Sequence, residues 1–559
     1  MNPRVIWRMW VPMRDGIRLS ARLYLPADTT AAPALLTMTP YAIDLFHEDA
    51  MAFAEAGYTV VIVDCRGRGD SEGAFTPSEV DAEDGYDCVE WIAAQPWCDG
   101  AVGMWGGSYA GECQWNVATL RPPHLRSIAP AAATHNPADY PWRGPVRMRY
   151  ALLWLLLVSG RAASPMSLFR DHALWQAAYL AHHQAGAAFA DLPRFMGGGS
   201  EHFDRFVAHP FHDPFWHDQA FPQAFWETLD IPVLTITGQN DDAQRGALTY
   251  VREHETHGAP AAIAQHFVVV GPWDHAGTRS GQARIGGHDF GAESALDLRA
   301  LTLGWFDWTL RGGPRPAFLR DRVAIYMSGA REWRYASCLT GERAELTLRL
   351  HPHGASEGLV ARQGEVAGAA LAWHSDPADL SLSSADAVPP EVWLTDPRVA
   401  GDTGAYGLCF ETAPLTEPLE LEGWVRLTLH LSADVPDADL QAILAEIDSG
   451  GTILKLTEDF ARLRYRDSDR EPRLMRPGEA ARITLHGFTW IARRLAPGSR
   501  LRLIVQTPRA LAYQRNFQGG GDVDRETIAD GLAGRIEVHT GAAHPSALVL
   551  PIARGDSPP

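Results

Sequence analysis

The stretch that decides the fold is "GMWGGSYAGECQW", residues 103–115, where a short apolar run ends in two glycines and a serine and a helical pattern begins at once. A rival lies upstream in "GRGDSEG", residues 67–73, in which Ser71 fits G-x-S-x-G letter for letter between Gly69 and Gly73. Ser108 has Gly106 two residues before it but Ala110 two after it, and Gly111 arrives one residue late. Mechanics separate the two serines. A nucleophile elbow needs a strand ending in a sharp turn, a serine held at strained dihedrals, and a helix that starts immediately. "VGMW" supplies the strand, while Gly106, Gly107 and Ala110 let strand and helix approach closely. "YAGECQWNVATL" then starts a helix whose N-terminus directs partial positive charge towards a developing oxyanion. Ser71 is followed by "EGAFTP", whose proline delays any helix, and it reads as a turn residue.

Outward from the elbow, apolar runs and helical patterns take turns. "PALLTMTPY" precedes "HEDAMAFAEAG", and "YTVVIVDC" precedes "SEVDAEDGYDCVEWIAAQ". This alternation predicts a parallel sheet with helices on its faces over residues 1–143. Residues 144–230 break the rhythm with aromatics and helical periodicity, as in "RYALLWLLLVSG" and "SLFRDHALWQAAYLAHH", and form a helical insertion. The α/β pattern returns over 231–345 with "IPVLTITG", "HFVVVGPW" and "ALDLRALTLGWFDWTLRG". From 346 to 559 the helical patterns fade, and short alternating segments such as "WVRLTLHLS", "AARITLHGF" and "RLRLIVQT" predict an antiparallel sandwich.

Composition narrows the function. A chain of 559 residues exceeds what one core can serve. At 46% hydrophobic and 21% charged residues it reads as globular. The 49 basic and 68 acidic residues leave a net charge of -19, which repels a phosphate backbone and argues against nucleic acid as a partner. Lys455 is the one lysine, so Schiff-base, P-loop and Ser-Lys chemistries have almost no residue to use. "YALLWLLLV", residues 150–158, is too short to cross a bilayer, and "MNPRVIWRMW" lacks the pattern of a secretory signal. Six cysteines without a C-x-x-C pair read as reduced side chains of a cytoplasmic protein.

A serine hydroxyl attacks only when a base takes its proton and a carboxylate orients that base. On this kind of sheet the partners follow later strands in the order Ser, Asp or Glu, His. "PVLTITG" is followed by "QNDD", offering Asp241 and Asp242, and "HFVVVGPW" by "DHAG", offering His275. Asp274 is adjacent to His275, but neighbouring side chains diverge. The pattern leaves Asp241 and Asp242 open, since either also suits a helix N-cap.

The stretches "PMRDGIRLSARLYLP", "TPY", "VDCRGRGDSEGAF", "GMWGGSYAGECQW", "HPFHDPFW", "TGQNDD", "GPWDH", "GWFDWTLRG", "RLRYR" and "HPSALVLP" together resemble the cocaine esterase and X-prolyl dipeptidyl-peptidase group of serine hydrolases, over essentially the full length. The resemblance implies an α/β-hydrolase sheet with an inserted helical cap and a C-terminal jelly roll. It selects Asp241 as the acid, with two residues between it and Gly238; those two are commonly aromatic in relatives and are Gln239 and Asn240 here. It also implies an oxyanion hole made by the Tyr109 amide and the Tyr41 hydroxyl. The expected chemistry is cleavage of an ester or amide of a small acyl substrate through an acyl-enzyme, with no metal or organic cofactor. Cap aromatics Trp142, Trp154, Phe169 and Trp175 are candidates for the substrate pocket. An X-Pro dipeptidyl-peptidase, or an α-amino acid ester hydrolase or acyltransferase, would need a carboxylate for the substrate ammonium, with Asp44, Asp204 and Asp213 on offer. A non-catalytic binding protein is the reading from another class. The family contains monomers and larger assemblies, which leaves a homo-oligomer open.

Overall fold

The computed structural model describes residues 2–27, 31–136, 138–161, 166–352, 357–360, 368–400 and 404–553. Ten strands form the central sheet, taken across it as Arg4–Pro12, Arg18–Leu25, Thr59–Asp64, Ala32–Thr39, Cys98–Gly107, Leu125–Ala131, Val233–Asn240, His266–Asp274, Val323–Met327 and Glu332–Ala336. From Thr59–Asp64 to Val323–Met327 neighbouring strands run parallel, and the edge strands are antiparallel. Ala32–Thr39 and Thr59–Asp64 are buried along their whole length, as strands covered on both faces must be, and their sequences are accordingly almost uniformly apolar. The chain moves one way from Ala32–Thr39 to Thr59–Asp64 and the other way to Cys98–Gly107, so the order reverses there. A crevice opens beyond the carboxyl ends of strands at such a reversal, and that is where ligands bind in open α/β sheets.

Between Leu125–Ala131 and Val233–Asn240 the chain leaves the sheet and forms helices including Tyr150–Leu157, His172–Gln184, Glu201–Ala208 and Gln223–Thr228. Leu152, Leu155, Phe203, Trp216 and Trp226 are buried in the core shared by this cap and one face of the sheet. Two buried arginines tie the cap region to the C-terminal part: Arg147 Nε donates to Asp524 at 2.8 Å, and Arg149 Nη1 donates to the Leu511 carbonyl at 3.0 Å.

Eleven strands of the C-terminal part share one hydrogen-bonded set, and Leu419–Gly423 pairs separately with Ile491–Leu495. The ladders are antiparallel except between Glu357–Val360 and Gly407–Glu411, which run parallel. Alternate residues such as Leu427, Leu429 and Leu431 are buried, which gives the period-two pattern its physical cause. Among the described residues no helix is long and apolar enough to cross a membrane.

Candidate active site

The elbow takes its shape from Cys98–Gly107, the strand that runs into Ser108, and from the helix Tyr109–Thr119 that begins on the next residue. Ser108 has φ 61° and ψ −126°, a left-handed conformation that an L residue adopts only where its surroundings impose it. Its N–H donates to the Ala131 carbonyl of the neighbouring strand at 2.9 Å, and its carbonyl accepts the N–H groups of Gly111 and Glu112. A Cβ on Gly106 would stand 2.8 Å from the Ala110 side chain, and one on Gly111 3.0 Å from Ala133, so these glycines permit the strand–helix crossing. Ser71 lies elsewhere: fully buried, its hydroxyl donates to the Asp64 carbonyl at 2.7 Å and accepts the Ser20 N–H at 2.8 Å. It is a structural turn residue.

Val233–Asn240 and His266–Asp274 are adjacent parallel strands, with Gly238 opposite Gly271. Parallel register carries their ends to the same edge, so Asp241 and His275, each the residue after its strand, meet there. His275 Nδ1 and Asp241 Oδ1 are 2.8 Å apart. The Asp241 carboxylate also accepts the Ala243 N–H at 2.9 Å and the Thr237 hydroxyl at 2.8 Å. Burial disfavours its charge, yet the His275 charge and these hydrogen bonds prevail and hold its pKa below the ordinary value. Asp242 borders the cavity but pairs with Arg143 at 3.4 Å, with its side chain 85% exposed. Asp274 accepts the Gly277 N–H and so closes its own turn.

Ser108 and His275 border one cavity of about 280 Å³. Among the described residues no hydrogen bond joins them: His275 Nε2 receives Arg279 Nη2 at 3.1 Å instead. Ser108 and His275 thus face one cavity, and the imidazole nitrogen on that side meets a guanidinium that sequence reading did not single out. Tyr41, just past Ala32–Thr39, borders the same cavity and accepts Trp154 Nε1–H at 3.0 Å. Burial raises the Tyr41 phenol above its ordinary value against opposing hydrogen bonds with Trp154 and Ser108, so it stays a proton-bearing donor. Tyr109 is the first residue of its helix, where the N–H lacks an intrahelical partner. Its hydroxyl faces away from the elbow turn and donates to Asp81 at 2.6 Å.

Of the four cap aromatics, Trp154 borders the cavity and stacks on Tyr109 with ring centroids 5.6 Å apart. Trp142 does not: it is buried under Arg147, whose guanidinium lies 3.9 Å from its ring, and packs against Phe211 and Trp216. Phe169 and Trp175 do not border it either; Phe169 packs on Tyr150 and Trp175 bonds the Leu168 carbonyl. The walls come instead from Tyr140, Tyr150, Met148 and Phe206, with Glu458 and Tyr513 from the C-terminal domain. None of these carries a local pattern that announces it.

The carboxylates on offer for an ammonium also lie elsewhere. Asp44 pairs with Arg22 at 2.6 Å and is 77% exposed, and Asp213 caps the Phe215 N–H. Neither they nor Asp204 border the cavity, whereas Glu112 and Asp139 do. Glu112 stands one helical turn after Ser108, a spacing that sequence reading had available. Both its oxygens are engaged, by the Ser78 and Thr134 hydroxyls at 2.5 and 2.6 Å, and burial raises its pKa. Asp139 accepts the His135 and Gly246 N–H groups, and burial pushes it up to about 8. One set of metal-type ligands gathers among the described residues, Cys65, Asp81 and Cys113, all buried behind Tyr109. Burial pushes the Cys65 thiol up to about 11, which suits a protonated core thiol, and Cys65, Cys88, Cys98 and Cys113 are buried free thiols.

Residues 15–277 match the family model of the X-Pro dipeptidyl-peptidase (S15 family), and residues 325–549 that of the X-Pro dipeptidyl-peptidase C-terminal non-catalytic domain. The chain is 30% identical to the cocaine esterase of Rhodococcus sp. (strain MB1 Bresler), with 99% of each chain covered. Two solved structures share the fold across 99% of this chain and 97% of theirs. One is an α-amino acid ester hydrolase, with TM-score 0.87 and 23% identity; the other is an aminopeptidase of a marine sediment Thaumarchaeota archaeon, with TM-score 0.85 and 22% identity. An α/β-hydrolase sheet bearing a helical cap and a C-terminal jelly roll, matched end to end in sequence, places this chain in the family of cocaine esterase and the S15 X-Pro dipeptidyl-peptidases, and it is a serine hydrolase acting on ester bonds.

Proposed function

We propose that this esterase works through an acyl-enzyme on small acyl substrates, with Ser108 as nucleophile, His275 as base and Asp241 as its orienting acid. The observation that carries the reading is the opening of the strained Ser108 and the His275–Asp241 pair onto one cavity. Ser108 Oγ attacks the carbonyl, and His275 Nε2 takes the hydroxyl proton and returns it to the leaving group. Asp241 accepts from Nδ1 and balances the imidazolium charge. The Tyr41 hydroxyl and the Tyr109 N–H hold the oxyanion, and water then releases the acid. Engagement of both Glu112 oxygens and both Asp139 oxygens by internal donors favours an ester over a substrate held by its ammonium group.

Two measurements test this. A fluorophosphonate labels Ser108 in the wild type; Ser108→Ala removes the label and lowers kcat on p-nitrophenyl acyl esters by at least about a thousandfold. Labelling at another residue, or an active Ser108→Ala enzyme, overturns the assignment. The same esters are turned over faster than an X-Pro p-nitroanilide; the reverse order makes the protein a peptidase.

A further inference from the structure

A general base must offer a free lone pair to the hydroxyl it deprotonates. Here the ionised Asp241 only accepts, so Nδ1 of His275 carries the hydrogen and the lone pair lies on Nε2. A guanidinium N–H of Arg279 occupies that lone pair at 3.1 Å. Arg279 sits four residues beyond His275, in the short turn of helix Gly277–Ser280, and is exposed. Among the described residues its side chain makes this single hydrogen bond and no ion pair, which leaves four of the five guanidinium N–H donors uncommitted.

Its place is as telling as its lack of a counter-ion. A Cβ on Gly107, the residue before the nucleophile, would stand 2.5 Å from Arg279 Nε, so glycine there makes room for the side chain. The Arg279 charge also acts on the Tyr41 and Tyr150 hydroxyls of the cavity wall. A planar fork of unused donors beside nucleophile, base and oxyanion donor is suited to a carboxylate. The acids of the cavity do not oppose one: Glu458 is paired with Lys455 at 2.6 Å and Asp242 with Arg143, while Glu112 and Asp139 are engaged by internal donors and burial raises both.

We propose that Arg279 selects esters that carry a carboxylate close to the scissile bond: such a substrate draws the guanidinium off His275 Nε2 and frees the imidazole for Ser108, whereas a neutral ester must compete with it. The inference rests on the assignment of Ser108 and His275 as nucleophile and base. No bond is made or broken in the exchange beyond the hydrogen bonds named.

The test compares wild type, Arg279→Gln and Arg279→Lys on two matched pairs. p-Nitrophenyl hexanoate against mono-p-nitrophenyl adipate places the carboxylate on the acyl side, and phenyl acetate against m-acetoxybenzoate places it on the alcohol side. The wild type is expected to favour the anionic member of one pair by about tenfold or more in kcat/KM at low salt, with the ratio shrinking as salt screens the charge. Arg279→Gln is expected to lower turnover of that anionic ester about tenfold while raising that of its neutral partner about threefold, and Arg279→Lys to retain part of the preference. A purely structural role would move both members of a pair together. Equal changes on both members, or a wild type indifferent to the carboxylate in both pairs, overturn the proposal. If a variant folds poorly, the salt dependence of the wild-type preference decides the question by itself. Fluorophosphonate labelling of wild-type Ser108 separates the two readings: labelling without a charge preference sinks only the Arg279 inference, and absence of labelling sinks the catalytic assignment beneath it.

Discussion

In the proposed mechanism Tyr41 is a donor whose position is set before the reaction starts. It stands beyond a fully buried strand, with Trp154 Nε1–H fixing its oxygen at 3.0 Å, so little reorganisation is left for the moment when charge forms on a carbonyl oxygen. A fixed donor of this kind is worth about 3 kcal/mol of barrier, or about a hundredfold in rate. Tyr41→Phe is therefore expected to lower kcat on p-nitrophenyl esters about a hundredfold with little change in KM, as steady-state kinetics will show. A loss of less than about threefold would remove Tyr41 from the oxyanion hole. At this scale the sharp turn at Ser108 was legible, because a strand running straight into a helix needs small residues at fixed offsets and Gly106, Gly107 and Ala110 supply them. Arg279 and Glu112 were not read as site residues, because the worth of a charge depends on which groups face it across loops that only the fold assembles.

Among elements, the joint between the cap region and the C-terminal domain depends on Arg147. Its side chain is 2% exposed; Nε donates to Asp524 at 2.8 Å, and Nη2 donates to the Phe206 and His209 carbonyls, each at 2.8 Å. Burial lowers the Arg147 pKa and raises that of Asp524, so desolvation outweighs the attraction on both sides and the pair serves the joint through its hydrogen bonds. Arg147→Met leaves the buried Asp524 with the Gln514 amide but no counter-charge and frees two carbonyls, and is expected to destabilise the protein by about 3–5 kcal/mol. A urea denaturation midpoint unchanged from wild type would contradict this. Uninterrupted apolar runs such as "YTVVIVDC" made the parallel strands readable, since both their faces are covered. The cap was readable as helical, but its aromatics were not sorted into core and cavity: neither "YPWRGP" around Trp142 nor "ALLWLLL" around Trp154 says which face is covered, and only packing tells that one lies under Arg147 and the other beside Tyr41.

Taken as a whole, the molecule buries two opposed sets of titratable groups. Burial lowers His135, His182, His183, His254 and His288 to about 4 from an ordinary 6.5. Between those values the unfolded chain binds more protons, so stability rises with pH. Burial raises Asp64 and Asp81 to about 7 and Asp139 to about 8 from an ordinary 3.8. Between those values the folded protein binds more protons, so stability falls as pH rises. Among the described residues nine histidines are lowered and ten carboxyls raised, so the two sets largely offset each other up to 6.5, and above it the histidines drop out and only the carboxyls act. Thermal denaturation is thus expected to give a Tm that declines from about pH 6.5 towards pH 8; a Tm climbing between those two values would refute the balance. The order of sheet, insertion, sheet and sandwich was legible in the changing hydrophobic period, and so was the placing of Ser108, Asp241 and His275 directly after three strands. A jelly roll closing one side of the cleft was expected, but the residues it brings were not legible, because Tyr513 and Glu458 reach the cavity from more than two hundred residues beyond Asp241. That reach has an engineering consequence. The chamber has no single owner along the chain, so exchanging the sandwich between two relatives would exchange part of the substrate's mould with it, and a catalytic half expressed by itself would present its reactants to open solvent.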